Sequence, residues 1–101
     1  MHIDAGHEYG SCREDVLVWW PLLRHSGILM GDDYSPNSFP GVVKAAKEFV
    51  LQCELDKFFS LDGNKWIVRK PSADWFAEHP DLPPFCTQGD TSHMVGVVKG
   101  N

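Results

Sequence analysis

Gly27-Ile28-Leu29-Met30-Gly31-Asp32-Asp33-Tyr34 is the stretch from which the rest of the chain can be read. Ile28-Leu29-Met30 is apolar at every position and too short for a helix, which suits an interior parallel strand. It stops at Gly31 and runs into two adjacent acids. Ligands of open parallel sheets bind beyond the carboxyl ends of the strands, so Asp32 and Asp33 stand where chemistry is expected. Working backward, Ser11 and Glu14 have the spacing of a capping box at a helix start. Val16, Trp19, Trp20 and Leu23 then recur at helical spacing, and Trp19, Trp20 and Trp66 read as core. Pro21 is expected to bend the last turn, and Gly27 to stop the helix. Earlier still, His2-Ile3-Asp4-Ala5 reads as a short strand ending at Gly6.

Working forward, a polar loop from Ser35 to Phe39 leads to Pro40, a residue suited to a first helical turn. Val42, Val43, Ala46, Phe49, Val50 and Cys53 form that helix's apolar face, with Lys44, Lys47 and Glu48 outside. Two strands follow, Lys57 to Leu61 and Lys65 to Arg69. The Asp62-Gly63-Asn64 turn between them predicts an antiparallel hairpin. The order β-α-β-α-β-β predicts an α/β fold whose sheet is mostly parallel, with a terminal antiparallel hairpin. Residues 1–70 form this unit. Residues 71–101 carry four prolines and read as an irregular tail with one helical turn near Asp74–Glu78.

Composition narrows the function. The 101 residues carry a net charge of −5, which argues against nucleic acid as a partner, since phosphate binding needs clustered cations. No apolar run approaches the roughly 20 residues of a membrane span. The start of the chain is neither basic nor followed by an apolar stretch, so no signal peptide is expected. Three cysteines, Cys12, Cys53 and Cys86, form no C-x-x-C pair, and an odd count points to reduced thiols and a cytoplasmic location. Cys86 and His93 lack metal-ligand spacing.

Asp4 follows the first predicted strand and Asp32-Asp33 the second. If those strands are neighbours, the carboxylates converge, and a hard divalent cation such as Mg²⁺ would neutralise them. His7, three residues past Asp4, is placed to act as a general base beside that metal. The plainer reading has the acids capping local turns, His7 solvated, and Tyr9 and Tyr34 packed over the sheet end. A receiver domain also joins a strand to paired acids, but it needs a phosphoacceptor Asp after a further apolar strand. Asp62 sits in a turn instead.

Taken in order, Ile3-Asp4-Ala5-Gly6-His7-Glu8-Tyr9, Arg13-Glu14-Asp15, Trp20-Pro21-Leu22-Leu23, Gly27 through Tyr34 and Pro40-Gly41-Val42-Val43-Lys44-Ala45 resemble the C-terminal half of class I S-adenosylmethionine-dependent methyltransferases. The nearest subgroup is the small-molecule O-methyltransferase-like one, and the resemblance covers residues 2 to about 70. It implies a Rossmann-like sheet, S-adenosylmethionine as cofactor and a small-molecule methyl acceptor. It also implies Asp4, Asp32 and Asp33 as ligands of a divalent cation, with His7 in the general-base position. Ser26 departs from the family's usual glycine. The Gly-rich cofactor loop of the family's first half has no counterpart here, so the 101 residues alone are expected to be inactive. The first strand would then be an open edge, inviting self-association or a completing partner. The alternative is a non-catalytic remnant that binds through that edge. Phe39, Trp75 and Phe85 could line an acceptor pocket, but covering the hairpin is the favoured role.

Overall fold

The computed structural model describes residues 5–87 and 93–98, with side chains from Tyr9 onward in the first segment and from Met94 in the second. Helix α1 spans Ala5–Leu22 and passes without a loop into strand β1, Leu23–Gly31. Helix α2 spans Pro40–Gln52, followed by a 3₁₀ turn at Asp56–Phe58. Strands β2, Phe59–Asp62, and β3, Lys65–Arg69, form the expected hairpin. Two short helices, α3 at Ala73–Ala77 and α4 at Pro84–Thr87, precede strand β4, His93–Val98.

The sheet order is β2-β3-β1-β4. Strand β1 is interior, as its apolar run requires. The balance of directions differs from expectation, because β1–β3 and β2–β3 are antiparallel and only β1–β4 is parallel. The cause lies at both ends of the chain. Residues 2–4 of the expected first strand fall outside the described residues, while Ala5 and Gly6 are helical. The parallel neighbour of β1 comes instead from the tail read as irregular, where Met94-Val95-Gly96-Val97-Val98 supplies a strand.

Two other local readings are corrected. Ser11 lies inside α1, so the amides that a capping box would satisfy sit within a helix already running from Ala5. Gly27 lies within β1 rather than ending a helix. Ser26 next to it has φ 70°, and the ladder is irregular between Leu23 and Ile28. A Cβ at Gly27 would come within 2.9 Å of the carbonyl oxygens of Arg24 and Met94, so only glycine fits this crowded bulge.

The core is one cluster. Cys12, Val16 and Trp20 line a single stripe of α1, and Val42, Val43, Ala46, Phe49, Val50 and Cys53 form the buried face of α2 as expected. Trp20 meets Phe49 edge-on at 4.9 Å between centroids, and its Nε1 donates to the Cys86 carbonyl at 2.9 Å. Leu29, Trp66, Val68 and Val98 complete the cluster from one face of the sheet. Trp75 packs against Phe58 at the root of the hairpin, as expected, whereas Phe85 lies under the Arg13 guanidinium of α1.

The thiols are not all reduced. Cys53 and Cys86 are joined in a disulfide that ties the end of α2 to α4, and Cys12 is free and buried. The pairing spans 33 residues, and only the packing of both elements about Trp20 brings its partners together.

The loopless α1–β1 junction depends on Lys70. Its side chain is 1% exposed, and its Nζ donates to the carbonyls of Trp20 at 3.0 Å and Leu23 at 2.9 Å. These carbonyls belong to the last turn of α1 and the first residue of β1, where the helix ladder gives way to the sheet. A proline within a helix costs about 3 kcal/mol, because it removes one hydrogen bond and its ring crowds the carbonyl four residues back. Two hydrogen bonds from a charged donor, about 1.5–3 kcal/mol each, are enough to offset it. Lys70→Met keeps the apolar stem and removes both bonds. We expect it to lower the unfolding free energy by about 3–6 kcal/mol in urea titrations. A loss under about 0.5 kcal/mol would show that packing alone holds the junction.

Burial, and next Asp15, push the Cys12 thiol from 9.0 to about 11. A pKa raised on folding gives stability that is complete below the unfolded value and lost as pH rises through the folded one. The urea midpoint should therefore fall between pH 9 and about 11. Cys12→Val should flatten that fall, and an unchanged slope would place the alkaline loss elsewhere.

Candidate functional site

The acids after β1 do open onto a cleft. It has a volume of about 680 Å³ and is lined by Asp32, Asp33, Asp62, Asn64, Lys65, Val97 and Val98. Its position follows from the chain. Strands β1 and β4 run parallel, and the cleft lies beyond their shared carboxyl end, where such sheets bind ligands. The acidic loop is held against the hairpin turn by the Tyr34 amide, which donates to the Asn64 carbonyl at 2.8 Å. Tyr34 is buried, and its ring lies 5.9 Å from that of Phe59. Packing over the sheet end, one of the readings weighed for this residue, is what the structure shows. Burial also pushes its phenol pKa up.

Asp33 has φ 64°, a left-handed conformation that aspartate tolerates better than most residues. That turn carries the chain from the buried strand into the loop. Asp32 is exposed and Asp33 half-buried, so both carboxylates reach solvent. Beneath them, Gly31 packs on Trp66, and a Cβ there would stand 2.4 Å from the indole nitrogen. That Nε1–H is buried and has no hydrogen-bond partner among the described residues.

The other expected site residues are not brought to this cleft by the described structure. Asp4 lies outside the described residues. His7 falls in α1 rather than in a loop, with its side chain outside the described set. Among the described residues no group of three His, Cys, Asp or Glu side chains is placed to hold a metal ion. Asp32 and Asp33 have the hard oxygen chemistry that Mg²⁺ prefers, but they supply only part of a ligand set. Asp62 and Lys65 are cleft residues that the sequence showed only as a turn and a strand start. The signal available was the Asp-Gly-Asn hairpin, whose tip must lie beside whichever strand end β3 pairs with. Tyr9, expected over the sheet end, instead donates to the Glu48 carboxylate of α2. That hydrogen bond, followed by burial, raises its pKa.

The residues do not fit S-adenosylmethionine by the usual construction. Among the described residues no glycine-rich turn joins a strand to a helix. Gly27 and Gly31 lie within β1 and serve close packing, and Gly63 serves the hairpin turn. Also among the described residues, no helix is long and apolar enough to cross a membrane.

Residues 1–34 match a family model described as a methyltransferase domain. Nothing matches among curated proteins or among solved structures. The family match supports a methyltransferase-like domain, with S-adenosylmethionine use as its general implication. The mixed α/β sheet is compatible with a partial fold of that class.

Proposed function

We propose that this chain is the C-terminal half of an S-adenosylmethionine-dependent methyltransferase of the small-molecule O-methyltransferase-like kind. The observation that carries this reading is where the family match ends. Residues 1–34 close on Asp32-Asp33-Tyr34, the loop that opens the cleft at the end of β1 and β4. In this reading a methyl group passes to a hydroxyl of a small acceptor, and His7 takes the base's position. Asp4, Asp32 and Asp33 are assigned to a divalent cation, which would supply charge neutralisation at the acceptor oxygen. The cofactor site belongs to a completing part of the enzyme. The reading also places the enzyme in the cytoplasm, and the Cys53–Cys86 disulfide, a bond that suits an oxidising compartment, argues against that location.

The test is the intact mass of the protein from its natural source together with methyl transfer from labelled S-adenosylmethionine. We expect a mass well above that of 101 residues, transfer by that longer protein, and none by residues 1–101 alone. Turnover by residues 1–101 would refute the half-domain reading. A natural mass equal to 101 residues would favour the non-catalytic alternative, a remnant that binds through its sheet.

The metal assignment has its own measurement. Mg²⁺ should raise the thermal midpoint of the chain, because a ligand of the folded state stabilises it in proportion to ln(1 + [L]/Kd). Asp32→Ala should abolish that gain. An equal gain in the variant, or none in either protein, would return Asp32 and Asp33 to a turn-forming role.

A further inference from the structure

We propose that the Cys53–Cys86 bond is a redox latch on strand β4: closed, it holds the parallel neighbour of β1 in place, and open, it lets that strand leave. The latch goes beyond the methyltransferase reading, since it acts through the chain's own tether and needs no cofactor, metal or uncovered surface. Strand β4 stands at the edge of the described sheet. Its ladder to β1 holds it, together with the close approach of Gly96 to Leu29 and Trp19, where a Cβ would come within 3.0 and 3.1 Å. Of its side chains from Met94 onward, only Val98 is fully buried. A strand with so few buried contacts lies at the low end of local stability, where a small bias moves it.

The disulfide supplies that bias. With the bond closed, Cys86 is fixed to the end of α2, and six residues separate it from His93 at the start of β4. With the bond open, α4 is four residues long and too short to hold itself in place. The last anchored helix is then α3, where Phe76 is buried 5.8 Å from the His25 ring, and sixteen residues separate Phe76 from His93. The entropy lost on closing a flexible tether grows with the logarithm of its length, so the shorter one favours docking roughly fourfold. Val97 and Val98 wall the cleft, so its apolar side exists only while β4 is docked.

The opening reaction takes two electrons from a dithiol reductant. Its thiolate attacks one sulfur, forming a mixed disulfide and releasing the other cysteine, which takes a proton. The second thiol of the reductant then displaces the first cysteine, and the reductant leaves as its own disulfide. Both half-cystines are fully buried, so attack waits for α4 to open. Arg13 binds the residue next to each of them. Its guanidinium donates to Gln52 and lies 5.4 Å from the centre of the Phe85 ring, with Nη1 buried and without a hydrogen-bond partner among the described residues. A cation held there stabilises a leaving thiolate and makes the bond easier to reduce.

Hydrogen exchange read by mass spectrometry, on the 101-residue chain before and after treatment with dithiothreitol, tests the latch. Alkylation in denaturant certifies the two states, with one thiol in the first and three in the second. We expect the amides of His93–Val98 to exchange about fourfold faster on reduction, with the β2–β3 hairpin unchanged. Coupling is reciprocal, so Val98→Asp, which expels β4, should lower the ratio of disulfide to dithiol about fourfold at a fixed ratio of oxidised to reduced dithiothreitol. Exchange of β4 that does not change on full reduction overturns the proposal. So does a hairpin that accelerates as much as β4, because the bond would then hold the whole fold, and so does an unchanged ratio in Val98→Asp.

Discussion

A buried lysine at the end of α1 is the constraint on which the remaining structure depends. The chain turns from helix to strand between Leu22 and Leu23 with no residue to spare, and Pro21 has already weakened the helix there. Lys70 reaches the carbonyls of Trp20 and Leu23 from the end of β3. The backbone at the same residue closes the ladder, with Ser26 N donating to Lys70 O and Lys70 N to Gly27 O, each at 2.8 Å. One residue thus fixes both the angle at which α1 leaves the sheet and the antiparallel placement of β3 beside β1. With that angle set, the Trp20 ring meets Phe49, its indole reaches Cys86, and the Cys53–Cys86 bond can close.

The same arrangement explains the position of the cleft. Because β3 is antiparallel to β1, the tip of its hairpin lies at the carboxyl end of β1 rather than at its start. Asp62 and Lys65 therefore join Asp32 and Asp33, and the Tyr34–Asn64 backbone bond locks the two loops together. A parallel neighbour from β4 adds Val97 and Val98 as the apolar wall. The cleft is acidic on balance, a property of the strand order and not of any one segment.

Much of this was legible in the residues. The apolar run at Ile28–Met30 is an interior strand, Pro40 does begin α2, and the stripe from Val42 to Cys53 is its buried face. The Asp-Gly-Asn turn does join a hairpin. Each of these rests on local pattern, where a period of 3.6 or a turn residue acts within a few positions. The capping-box spacing at Ser11 misled because the same spacing occurs on any helix interior. Gly27 misled because glycine ends helices and also permits close backbone approach, and only the neighbouring Met94 carbonyl decides between the two.

What the sequence determined by itself is the set of elements with strong local periods, the buried face of α2, the acidic end of the central strand, and of the stripe expected on α1 only Val16 and Trp20, since Leu23 belongs to β1 and Trp19 is half-buried. Tertiary structure alone decided that a six-residue segment of the proline-rich tail becomes the parallel neighbour of β1. It also decided that Cys53 pairs with Cys86 and that Lys70 is buried. Each of these joins residues far apart in the chain. A short strand, a cysteine or a lysine carries no local mark of its partner, because the free energy that fixes it resides in hydrogen bonds and burial formed only when distant segments meet.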